Sequence, residues 1–305
     1  MPDADAFRVA LITPGSIADA AWNSGAYAGL LQIRDSLGAS ISHVEALTPA
    51  AQEEALRSYA SQGYDIIFAN GFEFQEPAER VAASYPAPVF VINSGSRAVG
   101  KVVPLVFRIE EATYLAGMVA GGLSKSGMIG FIGGVELPPV RRGQEGWTNG
   151  AHAVNPAIVS RTTYLNNWED AASGREAALA LLRLGADMLH HNADAAALGA
   201  FQAVKETEGA YIFGANADQT SLAPERVVGS AVIDLAHAFL LVAREVENGT
   251  LQSQPKSFGL AGDVLRYVPN PTLAALVPGE LAARVAAAAD SIAEGTLLPL
   301  AGADR

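Results

Sequence analysis

Cysteine is absent from this sequence of 305 residues. Its absence excludes disulfides, zinc–thiolate centres and thiol nucleophiles. There is also no run of 18 apolar residues, so the sequence predicts no membrane-spanning helix. Basic residues are few: 20 Lys and Arg stand against 32 Asp and Glu, a formal net charge of −12. A charge of that sign repels phosphate backbones and anionic lipids, so we expect no binding to nucleic acid or to a membrane surface.

The residues that are abundant are apolar ones. Half of the sequence is hydrophobic and 17% is charged, a balance typical of a folded protein with a large core. An apolar β-rich run, a small polar loop and an Ala/Leu-rich helical stretch follow one another repeatedly, first at 7–13, 14–16 and 19–37. Strands that alternate with helices predict βαβ units and mainly parallel sheets, so the fold class is α/β.

The predicted strands form two sets, which an extended segment at 101–108 separates. Further crossings between the sets are expected near 227–230 and 264–269. Three crossings allow two doubly wound, parallel-sheet lobes to hinge about a cleft and close on a ligand. The predicted lobes are residues 1–107 with 231–264, and residues 108–230 with 265–305, joined by a three-stranded hinge.

Polar residues follow the predicted strands at six places. In open parallel sheets, ligands bind at the carboxyl ends of the strands. Asn, Asp, Glu, Ser and Gly are also turn formers and helix caps, which is the alternative explanation for any one of them. Six such endings together favour a polar ligand site; they are 13–16, 70–73, 93–96, 133–136, 192–194 and 216–219.

Catalytic signatures are missing from the sequence. It has no Gly-x-Ser-x-Gly elbow and no phosphate-binding Gly-x-x-x-x-Gly-Lys-Ser/Thr loop. Its five histidines form no metal motif. His190 and His191 close a strand and therefore point to opposite faces, one to the core and the other to the cleft, with His191 the candidate hydrogen-bonding residue. We predict a binding protein with no catalytic residue, no cofactor and no metal.

Two tryptophans stand next to predicted strand ends. Trp22 follows the first strand, and Trp168 precedes a helix that begins near residue 170. Flat aromatic side chains stack on nucleobases and sugar faces; packing under its own loop is the alternative for each ring. Asn23, beside Trp22, carries an amide that donates and accepts at once, as the reading of a base edge requires.

Eight stretches, in order and spacing, carry a family resemblance across about residues 7–250. They are 16–23, 66–72, FRIEEATYLAG from Phe107, KSGMIGFIGGVELPPV from Lys125, GWTNGAHAVNP from Gly146, WEDAASGREAA from Trp168, GADMLHHNAD from Gly185 and GANADQ from Gly214. Together they resemble the basic-membrane-protein family of ABC-transporter solute-binding proteins, which includes the purine nucleoside receptor A lipoproteins. The resemblance implies a type I periplasmic-binding-protein fold, a purine nucleoside or base between the lobes, and a membrane permease as partner.

The resemblance also implies roles for individual residues. Trp22 matches a family aromatic that stacks on the base, with Asn23 as the base-reading amide, and a second stacking residue is expected near 191–193. Asn93 and Asn216 stand where the family has acids, and these departures favour a free base or another polar small molecule over a nucleoside. The expected ligand-binding residues are Ser16, Trp22, Asn23, Phe72, Asn93, Trp168, His191, Asn192, Asn216, Asp218 and Asp234.

Two other functions stay open at this point. One is a soluble sensor or regulator with the same clamshell, which the lack of a leader before the first strand favours slightly. The other is a nucleoside-hydrolysing enzyme, which needs an aspartate cluster near the first strand, where Asp19 stands alone. For the leading hypothesis we expect a monomer placed in the periplasm or anchored outside the cytoplasm after removal of a leader; a cytoplasmic location is the alternative.

Overall fold

The computed structural model describes residues 7–19 and 21–300. The chain divides into two compact units: the residues up to Phe107 with Asp234–Phe258, and Arg108–Ile233 with the residues from Gly259 onward. It therefore passes between the units three times. Among the described residues, no helix is long and apolar enough to cross a membrane.

Strands and helices alternate along most of the chain. The strands are β1 (Arg8–Thr13), β2 (Ser40–Glu45), β3 (Ile66–Ala69), β4 (Val89–Asn93), β5 (Val102–Phe107), β6 (Met128–Gly133), β7 (Val159–Tyr164), β8 (Met188–Asn192), β9 (Tyr211–Asn216), β10 (Val227–Ile233), β11 (Lys256–Phe258) and β12 (Leu265–Pro269). The α-helices are α1 (Trp22–Leu37), α2 (Pro49–Ser61), α3 (Gln75–Ala82), α4 (Ile109–Leu123), α5 (Pro138–Val154), α6 (Ala171–Arg183), α7 (Ala197–Glu206), α8 (Leu235–Glu247) and α9 (Gly279–Ala293). Short 3-10 helices cover Phe72–Phe74, Asp194–Ala196, Thr220–Leu222, Leu260–Gly262 and Pro271–Leu276.

The first unit is built on a parallel six-stranded sheet in the order β11–β5–β4–β3–β1–β2. Its central strands are continuous apolar runs that are buried along their length, as expected when helices cover both faces of a sheet. Helix α1 packs against α8, where a Cβ at Gly29 would lie 2.9 Å from the Phe239 ring. Phe239 in turn stacks on Phe68 of β3, with 4.1 Å between ring centroids.

The second unit is built on a sheet in the order β12–β10–β9–β8–β6–β7, parallel except for the antiparallel edge strand β12. Its core centres on the buried rings of Phe131, Trp147 and Phe213. Helices α4 and α5 approach so closely at Gly150 that a Cβ there would lie 1.9 Å from the carbonyl oxygen of Tyr114. Two mainly parallel α/β units confirm the predicted fold class.

The unit boundaries differ from the predicted lobes at two places. Residues 231–233 and 259–264 belong to the second unit, whereas the sequence-based division placed both in the first lobe. Residues 231–233 stay with the second unit because β10 runs on to Ile233 and pairs there with β12. Leu260 is held there because its backbone N–H donates to the Glu111 carboxylate at 2.7 Å.

Candidate functional site

Trp22 and Asn23 open helix α1, just after the loop that follows β1. The buried carboxylate of Asp19 holds this helix start, accepting the backbone N–H groups of Ala21 at 3.1 Å, Asn23 at 2.6 Å and Ser24 at 3.0 Å. A carboxylate at this position satisfies N–H groups that have no partner within the helix and complements the helix dipole. Asp19, which the predicted site omitted, therefore determines where Trp22 and Asn23 begin the helix.

The Trp22 indole is anchored within the first unit. Its Nε1 donates to the backbone carbonyl of Asn70 at 3.1 Å. Its ring is perpendicular to that of Phe107, the last residue of β5, with 6.3 Å between centroids and an interplanar angle of 88°. The side chain is only half-buried, so an oriented aromatic surface stays accessible.

Three buried asparagines form a chain of amide hydrogen bonds beside Trp22. Asn70, which follows β3, donates from Nδ2 to Oδ1 of Asn23 at 3.0 Å. Asn93, the last residue of the neighbouring strand β4, donates from Nδ2 to Oδ1 of Asn70 at 2.6 Å. The side chains of Asn23 and Asn93 thus come together through Asn70, which was missing from the predicted site residues, although the strand ending 70–73 contained it.

One end of this amide chain is unsatisfied. Asn93 is fully buried, and its Oδ1 has no hydrogen-bond partner within residues 7–19 and 21–300. Buried polar atoms are nearly always hydrogen-bonded, so such an atom at the carboxyl end of a central parallel strand is a candidate ligand contact.

The other predicted residues of the first unit have local roles. Ser16, in the loop after β1, accepts the N–H of Ala18 on its Oγ at 3.2 Å. Phe72 is half-buried at the start of the short helix after β3. Asp234 caps α8 by accepting the N–H of His237 at 2.9 Å. Ser16 and Phe72 lie at the same carboxyl end of the sheet as Trp22, because β1 and β3 are parallel neighbours.

In the second unit, Trp168 and Asn192 both lie next to Gly134, at the carboxyl end of the sheet. Gly134, just beyond β6, donates its N–H to the backbone carbonyl of Asn192 at 2.8 Å. The Trp168 indole lies on Gly134, where a Cβ would be 2.2 Å from the ring. Glycine at 134 therefore makes room for this half-buried tryptophan.

Both histidines of the predicted pair are buried, each with 1% of its surface exposed. Nδ1 of His191 has no hydrogen-bond partner among the described residues, so a ligand contact by His191 stays a prediction. Nε2 of His191 lies 2.8 Å from Oε1 of Gln219. The same oxygen accepts the N–H of Ala215 at 2.9 Å, so it is an acceptor and Nε2 of His191 carries the proton.

Burial shifts the titration of both rings. It lowers the pKa of His191 to about 4, and it lowers the pKa of His190 to about 3, with the neighbouring His191 adding to the shift. Nδ1 of His190 donates a hydrogen bond to the carbonyl oxygen of Phe213 at 3.2 Å. Both imidazoles are neutral at pH 7, and their hydrogen bonds hold β8 against β9 and the loop after it.

Asn216 is the last residue of β9, and Asp218 lies in the turn that follows. Asn216 is buried with φ of 65°, a left-handed conformation that Asn tolerates better than most residues. Asp218 is exposed, and its Oδ1 accepts both the N–H of Thr220 at 3.0 Å and the Thr220 hydroxyl at 2.7 Å. For Asp218 the structure thus supports the turn-forming alternative.

A separate cavity of about 660 Å³ lies in the second unit, between β12 and α9. Apolar side chains such as Leu115, Val119 and Val285 line it, and none of the predicted ligand residues does. It also lies away from the carboxyl ends of the parallel strands. Within the described part of the chain, no group of three His, Asp or Glu side chains is placed to hold a metal ion.

Comparison with known proteins defines the class to which this chain belongs. The family model of PnrA-like ABC transporter substrate-binding proteins, Bmp, matches residues 6–283. The chain belongs to this family, as the eight motif stretches predicted.

Three relatives of similar sequence carry different functional names. Basic membrane protein A of Borreliella burgdorferi is 29% identical, over 87% of this chain and 80% of that protein. A purine-binding protein of Brucella abortus is 28% identical, over 72% of this chain and 62% of that protein. The transcriptional activator protein med of Bacillus subtilis is 26% identical, over 80% and 76% respectively.

Solved structures share the fold. An ABC transporter solute-binding protein of Conexibacter woesei superposes with a TM-score of 0.76 at 26% identity, over 96% of this chain and 98% of that one. One from Aeropyrum pernix gives a TM-score of 0.88 at 21% identity, over 96% and 92%. A transcriptional activator of the comK gene from Bacillus halodurans gives 0.81 at 23%, over 96% and 100%. The fold is therefore that of type I periplasmic binding proteins, as predicted.

Proposed function

We propose that this protein is the solute-binding component of an ABC importer and holds a purine base or purine nucleoside in an interlobe cleft. The observation that carries the proposal is the anchored, half-exposed Trp22 indole beside buried amides that end in an acceptor with no partner in the described part of the chain. An aromatic surface stacks on a flat ring, and fixed amides read its polar edge. The similarity to a purine-binding protein of Brucella abortus supports this ligand class.

The ligand is uncharged in this proposal. Asn23, Asn70 and Asn93 are neutral and interlinked, and Asn216 is neutral as well. A cationic ligand finds no carboxylate in this amide chain, and an anion gains little from its unpaired carbonyl. The same neutrality favours a free base or another uncharged polar molecule over a nucleoside whose ribose needs an acidic partner.

The two units act as the lobes of a clamshell in this proposal, with the three chain crossings as its hinge. Trp22, Asn23 and Asn93 supply the contacts of the first lobe, and Trp168 with Asn192 supply those of the second. His191, near the end of β8, remains a candidate contact of the second lobe on the same ground as Asn93, because its buried Nδ1 has no hydrogen-bond partner among the described residues.

Thermal-shift screening tests the ligand class. Purine bases, nucleosides, sugars and amino acids are each added to the purified protein, and a ligand of the native state raises Tm with concentration. Stabilisation by a purine compound and by no sugar or amino acid is the expected pattern. Absence of any shift with all purines contradicts the ligand assignment, and release of free base from a nucleoside contradicts the non-enzymatic role.

Substitution of Trp22 tests the stacking role. We expect Trp22→Ala to weaken binding by about 1–3 kcal/mol, measured by calorimetry, and Trp22→Phe to retain part of the affinity. Tyr64→Ala is the matched control, because Tyr64 is a half-buried aromatic just before β3, at the opposite edge of the same sheet. Equal affinity of Trp22→Ala and wild type would assign Trp22 to packing alone.

A sensor or regulator is the second candidate function. The similarity to the activator med of Bacillus subtilis and to a comK activator of Bacillus halodurans favours it. Deletion of the gene in its host separates the two roles: an importer subunit loses uptake of the radiolabelled ligand, whereas a regulator changes ligand-dependent transcription with uptake intact.

Location and oligomeric state follow from the importer role. We propose a monomer outside the cytoplasm that delivers its ligand to a membrane permease. Cell fractionation and light scattering of the purified protein test both points. Recovery in the cytoplasmic fraction favours the regulator instead.

A further inference from the structure

A backbone carbonyl, which can only accept, sets which end of each amide in this chain donates and which accepts. Nδ2 of Asn70 lies 3.5 Å from the backbone carbonyl oxygen of Trp22, as well as 3.0 Å from Oδ1 of Asn23. A backbone carbonyl only accepts hydrogen bonds, so the Asn70 side chain must turn its NH2 group towards α1. Its Oδ1 therefore faces Asn93.

This orientation dictates that of Asn93. Asn93 must offer its NH2 group to Oδ1 of Asn70, at 2.6 Å. A flipped Asn93 amide would bring two carbonyl oxygens to that distance, where they repel each other. Oδ1 of Asn93 consequently points away, fully buried and without a partner among the described residues. An unpaired buried acceptor carries the desolvation penalty of a hydrogen bond that is not made.

We propose that Asn70 is a positioning residue that determines the hydrogen-bond polarity of the ligand site. Through Asn70, Asn93 presents a bare carbonyl, and the ligand must donate an N–H or O–H to it. Carboxylates and fully ionised phosphates offer acceptors only, so they are rejected at this position. The inference rests on the proposed function, because it places the ligand at the carboxyl ends of β3 and β4.

Analogues that each lack one donor test the inference. Calorimetry compares hypoxanthine with its N-methyl derivatives, and inosine with its 2′-deoxy and 3′-deoxy forms. In the wild-type protein, one analogue should bind about 10-fold to 100-fold more weakly than its parent, since Asn93 then stays unpaired. In Asn93→Ala that ratio should fall below about 3-fold, because no acceptor is left to satisfy. A methyl-sensitive result assigns the donor to a ring N–H, and a deoxy-sensitive result assigns it to a sugar O–H.

Two variants of Asn70 separate positioning from general damage. Asn70→Ala frees the Asn93 amide to turn, so the ratio between parent and donor-lacking analogue should fall below about 3-fold. Asn70→Asp keeps an oxygen facing Asn93 and should retain the wild-type ratio, even where the parent binds more weakly. Asn248→Ala, at an exposed position after α8, is the matched control, and circular dichroism checks the fold of each protein.

The outcomes distinguish this inference from the proposed function. Parent compounds that bind, with analogue ratios identical in wild type, Asn93→Ala and Asn70→Ala, overturn the inference and leave the purine-binding proposal intact. Equal loss of affinity for parent and analogue in Asn70→Ala, with the ratio unchanged, assigns Asn70 to structural support and also overturns it. Failure of every base and nucleoside to bind the wild-type protein overturns both.

Discussion

Acidification should destabilise this protein through the buried pair His190 and His191. Burial lowers their pKa values from 6.5 to about 3 and about 4. Because the folded-state pKa lies below the unfolded-state value, the unfolded chain binds protons first as the pH falls. The stability is therefore fully present above pH 6.5 and is lost as the pH falls from there towards about 4 for His191 and about 3 for His190.

The size of the effect follows from those values. At 1.36 kcal/mol for each pKa unit, the free energy of unfolding falls by about 2 kcal/mol for each histidine between pH 7.5 and pH 5, or about 4 kcal/mol for the pair. A loss of that size is a large part of the stability of an ordinary domain. Urea unfolding followed by circular dichroism at the two pH values measures it.

Substitutions that keep the hydrogen bonds but remove the titrating rings isolate the contribution of His190 and His191 to the loss of stability. His190 donates from Nδ1 and His191 from Nε2, which Asn and Gln respectively can imitate, so the test proteins are His190→Asn, His191→Gln and their combination. Other groups titrate too, such as Glu111, whose pKa burial raises, but they titrate in every variant. Each single variant should lose about 2 kcal/mol less than wild type on acidification. An equal loss in the wild type and the double variant would refute neutral burial of the two rings.

Two further predictions concern packing and capping. Asp19→Ala should destabilise the start of α1 by about 0.5–2 kcal/mol in urea unfolding and weaken ligand binding, whereas Asp19→Asn should retain part of both; unchanged stability in Asp19→Ala would contradict the capping role. Gly150→Ala should lower the free energy of unfolding by about 1–3 kcal/mol or more, because the new Cβ would lie 1.9 Å from the carbonyl oxygen of Tyr114. Gly279→Ala, with no atom within 4 Å of its Cβ, is the matched control, and equal Tm values for the two glycine variants would contradict the close approach of α4 and α5.

Local pattern was enough to predict the architecture. Apolar runs bounded by small polar residues mark strands at any place in a chain, and their alternation with helical stretches predicts parallel α/β units without knowledge of long-range contacts. The motif order likewise predicted the family. Trp22 drew notice as a candidate because an aromatic residue in the loop or first turn after the first strand is less expected in a core, and its role with Asn23 stays a prediction.

The roles of the strand-end residues needed the tertiary structure. A polar residue that ends a strand can face a ligand, cap a helix or brace a neighbouring loop, and the choice depends on partners far away in the sequence. The acceptor for Nε2 of His191 comes from Gln219, 28 residues later. Asn70 links residues 47 positions before it and 23 after it, a geometry that no local spacing encodes.

The sequence by itself thus determined two parallel α/β units, polar strand ends, a neutral set of amides and an aromatic side chain beside them. These properties depend on the hydrophobicity and spacing of neighbouring residues, which are local. Only the tertiary structure decided that Asp19 holds the start of α1, that Asp218 forms a turn, and that Asn70 accepts from Asn93, whose buried Oδ1 is left without a partner among the described residues. Hydrogen-bond direction depends on which donor meets which acceptor, and that pairing exists only once the strands lie side by side.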